Sequence, residues 1–310
     1  MNKELRAAIV YPSYAAFNLY GGFEGTWVHH GISSIIAYSE KMWQTIDLID
    51  LRRLESWADF ENKIKNYSLV GYSILSQDVG TAMKAIEINK RINPAVKICA
   101  GGVHVSLKKE NFLDNRDVDF VITGEGEIAF YNLIQALINH EEVGREAEGE
   151  KVTLDELPNI NRQNWSGEEP AGFAGLVKPF FTLISSRFCL YNCSFCQPCS
   201  RIVFGGKERV RSPRHVIKEI LELKAKYGLK SFFLVDDNVF QNRGWLMEFA
   251  GLYQANGIEA KFVLSGRSNN ICANKDLLPL LKQIGLEYVI VGFESGSQKI
   301  LNYLRKGTTV

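Results

Sequence analysis

The strongest constraint on the fold is an alternation. The strand-like runs RAAIVYP (6–12), TIDLIDL (45–51), LVGYSIL (69–75), VKICAGG (96–102) and DFVITG (119–124) are separated by helix-like segments near 30–41, 59–66, 78–91 and 108–114, and EIAFYNLIQALINH (127–140) follows the last. In that final segment Phe130, Leu133, Ile134, Leu137 and Ile138 recur at helical spacing, giving one apolar face. Five β/α repeats predict a parallel sheet covered on both faces, a doubly wound, Rossmann-like α/β fold. Such sheets bind ligands at the carboxyl ends of their strands, at the topological switch point.

The stretch EEVGREAEGEKVTLDELPNINRQNWSGEEPAG (141–172) is polar and acidic, carries Gly and Pro, and lacks sustained periodicity, so it reads as a linker with at most one short ordered piece. A second β/α series begins at PFFTLISS (179–186). Its first long helix spans 212–228, with Ser212 as N-cap, Pro213 at the first position and Gly228 as the stop. The strands SFFLVDD (231–237), AKFVLSG (260–266) and YVIVGFE (288–294) alternate with helices near 244–256, 275–284 and 297–304. Four strands are few for a closed barrel, so the expectation is a partial, TIM-like β/α barrel that is truncated after LRKGTTV. The expected organisation is a first domain over 1–142, a linker over 143–177 and a second domain over 178–310.

Charge excludes some partners. With 36 basic and 35 acidic residues the net charge is +1, so no electrostatic footprint for nucleic acid or an anionic membrane surface is present. No apolar run approaches the roughly 20 residues that span a bilayer, and the N-terminus MNKELRAAIVYPSY lacks the apolar core of a signal peptide. A cytoplasmic location is expected, with reduced cysteines that serve metal binding or catalysis rather than disulfides.

Four of the six cysteines fall within "CLYNCSFCQPC", Cys189, Cys193, Cys196 and Cys199, directly after a strand-like run. Three readings are open. A buried stripe at helical spacing is disfavoured by the polar Asn192, Ser194 and Gln197 around the thiols. A zinc site using Cys199 as fourth ligand lacks the second, distant C-x2-C that zinc sites usually supply. An iron–sulfur cubane suits soft thiolates. Three closely spaced cysteines would leave one iron free for a substrate or cofactor.

The pattern C-x3-C-x-aromatic-C, with Phe195 in the aromatic slot, resembles the signature of the radical S-adenosylmethionine (radical SAM) enzymes. "SSRFCLYNCSFC" is similar to the family's frequent "SRGCPYNCSFC", with Phe188 and Leu190 replacing Gly and Pro, departures expected to alter the loop backbone and spare the ligands. The resemblance implies that Cys189, Cys193 and Cys196 hold a [4Fe-4S] cluster, Cys199 being a non-ligand. The open iron then binds S-adenosylmethionine, whose reductive cleavage gives a 5′-deoxyadenosyl radical. "FFLVDDNVF" and "VIVGFESGSQKILNYLRKGTT" extend the likeness. By the family pattern Asp236 and Asp237, with Asn238 beside them, face the methionine moiety, while Glu294, followed by Ser295, and Arg267 lie near the nucleoside; solvated strand-end capping or substrate contacts are the alternative roles for all of these.

No G-x-G-x-x-G follows the first strand and no Walker loop is present. Instead "GYSILSQD" (71–78), "AGGVHVSL" (100–107) and "TGEGEIAF" (123–130) place small and polar residues at successive strand ends. This trio resembles the cobalamin-binding domain that precedes the radical domain in one subgroup of the superfamily. It implies cobalamin contacts from Ser73, Leu75, Ser76, Gly101, Gly102, His104, Gly124, Glu125 and Gly126, the last opening a helix with free N-terminal amides. The D-x-H-x-x-G motif of better-known cobalamin modules is absent, so no histidine is assigned as lower cobalt ligand. The lower face is expected to be free of protein or approached from the 71–78 loop. His104 is either a ligand contact or a locally bonded strand-end residue. His29 and His30 read as loop or ligand-edge residues rather than metal ligands, and the aromatic loop 11–27 either covers cofactor or substrate, or simply packs.

The resemblance implies a cobalamin-dependent radical SAM methyltransferase acting on an unactivated carbon, fed by a flavodoxin- or ferredoxin-type electron donor, on a small-molecule or peptide substrate that the sequence does not identify. Cluster, cobalt and substrate carbon are expected to converge between the two domains. Relatives with the same two domains imply a second reading, cyclisation or rearrangement without methyl transfer. A third is an electron-transfer protein with a partner-binding module.

Overall fold

A computed structural model of the chain describes residues 5–18, 27–165, 169, 175–196 and 199–310. These form two compact units, the first built chiefly from residues 29–152 and the second from 165–310.

The first unit is a parallel sheet of β1 (Ala7–Tyr11), β2 (Ile46–Asp50), β3 (Leu69–Ser73), β4 (Lys97–Gly101), β5 (Phe120–Gly124) and β6 (Glu146–Gly149), in the order β2-β1-β3-β4-β5-β6. The chain runs outward from β1 to β2 and returns to β3, so the switch point lies between β1 and β3. Ala8, Val10, Val70, Tyr72, Ile98 and Ala100 alternate onto one face, against Phe60 and Ile64 of α2 (Trp57–Ile64) and Ala82, Ala85 and Ile86 of α3 (Val79–Ile92). Ile9 and Gly71 lie on the other face against Phe130 of α6 (Gly126–Ile138), and α6 packs on α1 (His30–Lys41). The short helices α4 (Val103–Leu107) and α5 (Glu110–Leu113) connect β4 to β5.

The doubly wound parallel fold expected from the alternation is thus present, with one strand more than the apolar runs predict. β6 lies inside the stretch read as a linker, and single 3₁₀ turns follow at Leu154–Glu156 and Arg162–Trp165. β6 reads EAEG and is exposed along most of its length. An edge strand held by backbone pairing with β5 has no apolar alternation to reveal it.

The second unit holds a parallel sheet of β7 (Phe180–Leu183), β10 (Ser231–Leu234), β11 (Lys261–Arg267) and β12 (Leu286–Gly292), in the order β12-β11-β10-β7. A two-residue antiparallel pair, β8 (Ser186–Arg187) and β9 (Arg209–Val210), flanks the loop that carries the cysteines and α7 (Cys199–Phe204). Phe232 of β10 and Phe262 of β11 are in register and stack at 5.4 Å, under Phe249 and Tyr253 of α9 (Arg243–Ala255). α8 (Pro213–Tyr227) has the predicted ends: Ser212 Oγ accepts from the His215 amide at 3.2 Å, and Gly228 sits in the left-handed region. α10 (Ser268–Ala273), α11 (Leu278–Gln283) and α12 (Gln298–Tyr303) complete the series. Among the described residues no helix is long and apolar enough to cross a membrane.

One glycine shapes the first unit's carboxyl edge. Gly102 has φ 100°, ψ −179°, and a Cβ there would stand 2.6 Å from the Ile74 amide nitrogen. At Gly80, in α3, an added methyl group would meet nothing within 4 Å. Gly102→Ala should therefore cost about 3 kcal/mol, whereas Gly80→Ala should be neutral or stabilise by up to about 1 kcal/mol. Urea denaturation checks the pair, and equal effects would contradict this account of the edge.

Candidate functional site

In the first unit the predicted residues gather at the carboxyl ends of β3, β4 and β5. The Ile74 amide donates to Gly101 O at 2.8 Å and the His104 amide to Ile74 O at 3.0 Å, lacing the β3 exit to the β4 exit. Ser106 Oγ accepts from the Gly124 amide at 3.0 Å and donates to Gly102 O at 3.1 Å, adding the β5 exit. Ser73, Leu75, Gly101, Gly102, Gly124 and Gly126 are half-buried and Ser76 is exposed, so this laced edge offers backbone and small side chains to a ligand. Glu125 is buried as the N-cap residue of α6. His104 Nδ1 lies 3.0 Å from Ser76 Oγ, the local bond expected as one of its two roles.

Beneath the switch point lies a polar group that the sequence did not announce. Asp50 takes a bidentate ion pair from Arg52 at 2.8 Å, both side chains 3% exposed, and the guanidinium stacks on Tyr11 at 4.6 Å. Asp78 closes "GYSILSQD"; its Oδ1 accepts from the Tyr14 amide at 2.9 Å, while Oδ2 is buried without a partner, and burial pushes its carboxyl up. An orphaned buried acceptor beside an open strand edge fits an amide-rich ligand such as cobalamin. His29 caps α1, its Nδ1 accepting from the Ile32 amide, and burial lowers it to about 4, so it is neutral and locally bonded. Residues 19–26 of the aromatic loop lie outside the described residues.

In the second unit the cysteine loop leaves β7 through a clamp. Asp236, 4% exposed, accepts from the Ser185 amide at 2.9 Å and Oγ at 3.0 Å, and from the Ser186 amide and its Oγ. Its carboxylate therefore ties the β10 exit to the β7 exit. Asn238 does the same for β11, its Oδ1 accepting from the Arg267 amide at 3.2 Å. Asp237 is exposed. Burial, then the Asp237 charge, push the Cys189 thiol up; a Tyr191 amide and Arg267 oppose them.

Cys189, Cys193 and Cys196 are thiols outside any disulfide, respectively half-buried, buried and exposed. Among the described residues no three His, Cys, Asp or Glu side chains converge around a point that would hold one metal ion. A cubane asks for something else, since each thiolate takes its own iron, and a loop of three thiols outside any disulfide fits that donor set. The side chain of Cys199 lies outside the described residues. Phe188 has φ 83° and is buried at 2%, with Arg201 over its ring at 5.3 Å. Phe188, which stands where the family's frequent pattern has glycine, thus lies in the left-handed region that glycine favours.

Arg267 meets this loop from the end of β11. Its guanidinium donates to Cys193 Sγ at 3.1 Å and lies 3.6 Å from the centre of the Tyr191 ring, while Nε and a second terminal nitrogen are buried without partners. Those orphaned donors fit an anionic or polar group of S-adenosylmethionine. Glu294, at φ 63°, accepts from Lys306 Nζ at 2.9 Å, and that ammonium also lies 5.8 Å from the Phe195 ring. The Ser194 amide donates to Leu304 O at 2.9 Å. Tyr191 and Lys306 were missed as site residues, although both stand in segments that carried the resemblance, YNC and RKGTT.

A B12 binding domain matches residues 20–134 and the Radical SAM superfamily matches 183–310. With both domains in this order, the chain belongs to the cobalamin-binding radical SAM enzymes. Among curated relatives, an uncharacterized methyltransferase of Pyrococcus horikoshii is 29% identical over 276 residues, covering 82% of this chain and 58% of the relative. The anaerobic magnesium-protoporphyrin IX monomethyl ester cyclase of Cereibacter sphaeroides is 24% identical over 99% of this chain and 53% of its own length. The hopanoid C-3 methylase of Methylococcus capsulatus is 24% identical over 89% and 55%. The chain thus spans a little over half the length of these relatives. The methyltransferase TsrM of Kitasatospora setae, solved with cobalamin and a [4Fe-4S] cluster bound, shares the fold at a TM-score of 0.69 and 14% identity, over 99% of this chain and 62% of that one.

Two stability measurements test the loop's supports. Phe188→Gly and Phe188→Ala both lose the buried ring, but only alanine keeps the left-handed strain, so the glycine variant should be the more stable by about 1 kcal/mol. The reverse order in urea would contradict the assigned backbone. Burial raises Asp236 to about 6, against hydrogen bonds from Ser186 and Ser185 that lower it. A raised carboxyl stabilises the fold fully below its unfolded value near pH 4, and that contribution is lost as pH rises through about 6. Apo protein should therefore lose up to roughly 3 kcal/mol between pH 4 and 7 from this group, a slope absent in Asp236→Asn.

Proposed function

We propose that this chain carries the catalytic core of a cobalamin-dependent radical SAM methyltransferase acting on an unactivated carbon. The observation that carries the reading is the cysteine loop with a buried, incompletely paired Arg267 donating to Cys193, in a chain whose relatives include a methyltransferase and a methylase. Cyclisation is the second reading, favoured by the cyclase that aligns with 99% of the chain.

In this reading Cys189, Cys193 and Cys196 hold the cluster. Arg267, Asp237, Glu294 and Phe195 surround S-adenosylmethionine, with Asp236 fixing the loop behind them. Ser73, Leu75, Ser76, Gly101, Gly102, His104, Gly124, Glu125 and Gly126 hold cobalamin, joined by Asp78. When bound, the cluster supplies the electron that breaks a carbon–sulfur bond of S-adenosylmethionine to give a carbon radical, and cobalamin supplies the methyl group. The chain's own residues bind and orient. Arg267 offers N–H donors from a dry site where they are strong. Lys306 holds the Glu294 carboxylate in place from below Phe195. The electron arrives from an external flavodoxin- or ferredoxin-type donor, and the substrate is a small molecule or peptide. A cytoplasmic setting suits free thiols.

Anaerobic reconstitution with iron and sulfide, followed by reduction with S-adenosylmethionine present, tests this. Wild type should gain a charge-transfer absorbance, retain cobalamin and release 5′-deoxyadenosine. Cys189→Ala, Cys193→Ala and Cys196→Ala should each abolish the cluster, whereas Cys199→Ala should keep it. An intact cluster that never cleaves S-adenosylmethionine would sink both enzyme readings and leave electron transfer.

A further inference from the structure

We infer that Arg267 is a positioning residue that sets the reduction potential of the cluster through its hydrogen bond to Cys193. The inference rests on the reading of the cysteine loop given above and goes beyond it, because it gives Arg267 a role toward the electron in addition to its place beside S-adenosylmethionine.

Four observations carry it. The guanidinium is 4% exposed, and among the described residues no carboxylate pairs with it. A buried cation without a counter-charge is costly, so the site must supply the negative charge. The group it does touch is Cys193 Sγ at 3.1 Å, itself the buried thiol of the three. Its direction is fixed: the ring of Tyr191 lies 3.6 Å from the guanidinium carbon, and Asn269 and Asn270 hold the Tyr191 hydroxyl. The Asn238 carboxamide pins the Arg267 amide at 3.2 Å.

A cubane with three thiolates is anionic, and one-electron reduction adds one further negative charge. An N–H donor on a ligating sulfur and a fixed positive charge beside it both favour the reduced form. The electron comes from a low-potential one-electron donor of the ferredoxin or flavodoxin class. No proton transfer, bond cleavage or further reactant is involved.

The test is a redox titration of the reconstituted cluster, followed by electron paramagnetic resonance with no S-adenosylmethionine present. Arg267→Lys keeps the charge and should titrate close to wild type. Arg267→Met removes charge and donor, and should lower the reduced-to-oxidised ratio at a fixed potential at least about tenfold, a midpoint about 59 mV more negative. Should the methionine variant fail to hold a cluster, Arg267→Gln, which keeps a stem and an N–H but no charge, should fall between wild type and that limit. A cluster-loaded neutral variant titrating with wild type would overturn the inference. So would loss of the cluster in all three variants, which would leave Arg267 a purely structural role. If wild type itself assembles no cluster, the site reading fails instead, and the two failures are told apart by the wild-type iron content.

Discussion

The buried carboxylate of Asp236 is the constraint on which the second unit's site depends. It gathers the Ser185 and Ser186 amides and hydroxyls at the exit of β7 and so fixes where the cysteine loop begins. Placing a carboxyl there is unfavourable on burial alone, which is why it rises to about 6. The hydrogen bonds offset part of that cost. What the fold gains is a rigid departure point for a loop whose Leu190 and Phe195 side chains are exposed and so anchor it little.

From that point the loop is held from two further directions. Arg267 reaches it from β11, stacked on Tyr191 and bonded to Cys193. The segment after α12 reaches it through Leu304 O and through Lys306, which links Phe195 to Glu294. The three thiols thus sit among groups borrowed from β7, β10, β11 and the chain's last residues. A loop supported this way matches the demand of a cofactor site for preorganisation.

Most of the architecture was legible because β/α alternation is written in apolar runs, and α8 was readable to its ends from Ser212, Pro213 and Gly228. β6 was not, since an exposed edge strand such as EAEG depends on backbone pairing, which leaves no side-chain pattern. The cysteines were legible as a spacing. The partners of Asp236 were not: sequence places it at a strand end, and only the fold reveals that Ser185 and Ser186, some fifty residues earlier, occupy its oxygens. Arg267 was found through resemblance, but its bond to Cys193 spans 74 positions and has no local signature. In the first unit Gly102 was visible as a small residue. Its necessity comes from the Ile74 backbone pressed against it.

The central claim is that three cysteines hold a cluster with one iron open to S-adenosylmethionine. The most direct measurement is the electron paramagnetic resonance spectrum of the reduced, reconstituted chain before and after S-adenosylmethionine is added. A change in the spectrum on addition, with no change on adding adenosine alone, is the predicted result. A spectrum indifferent to S-adenosylmethionine, from a chain loaded with four irons, would mean that every iron is already capped by protein and would contradict the account.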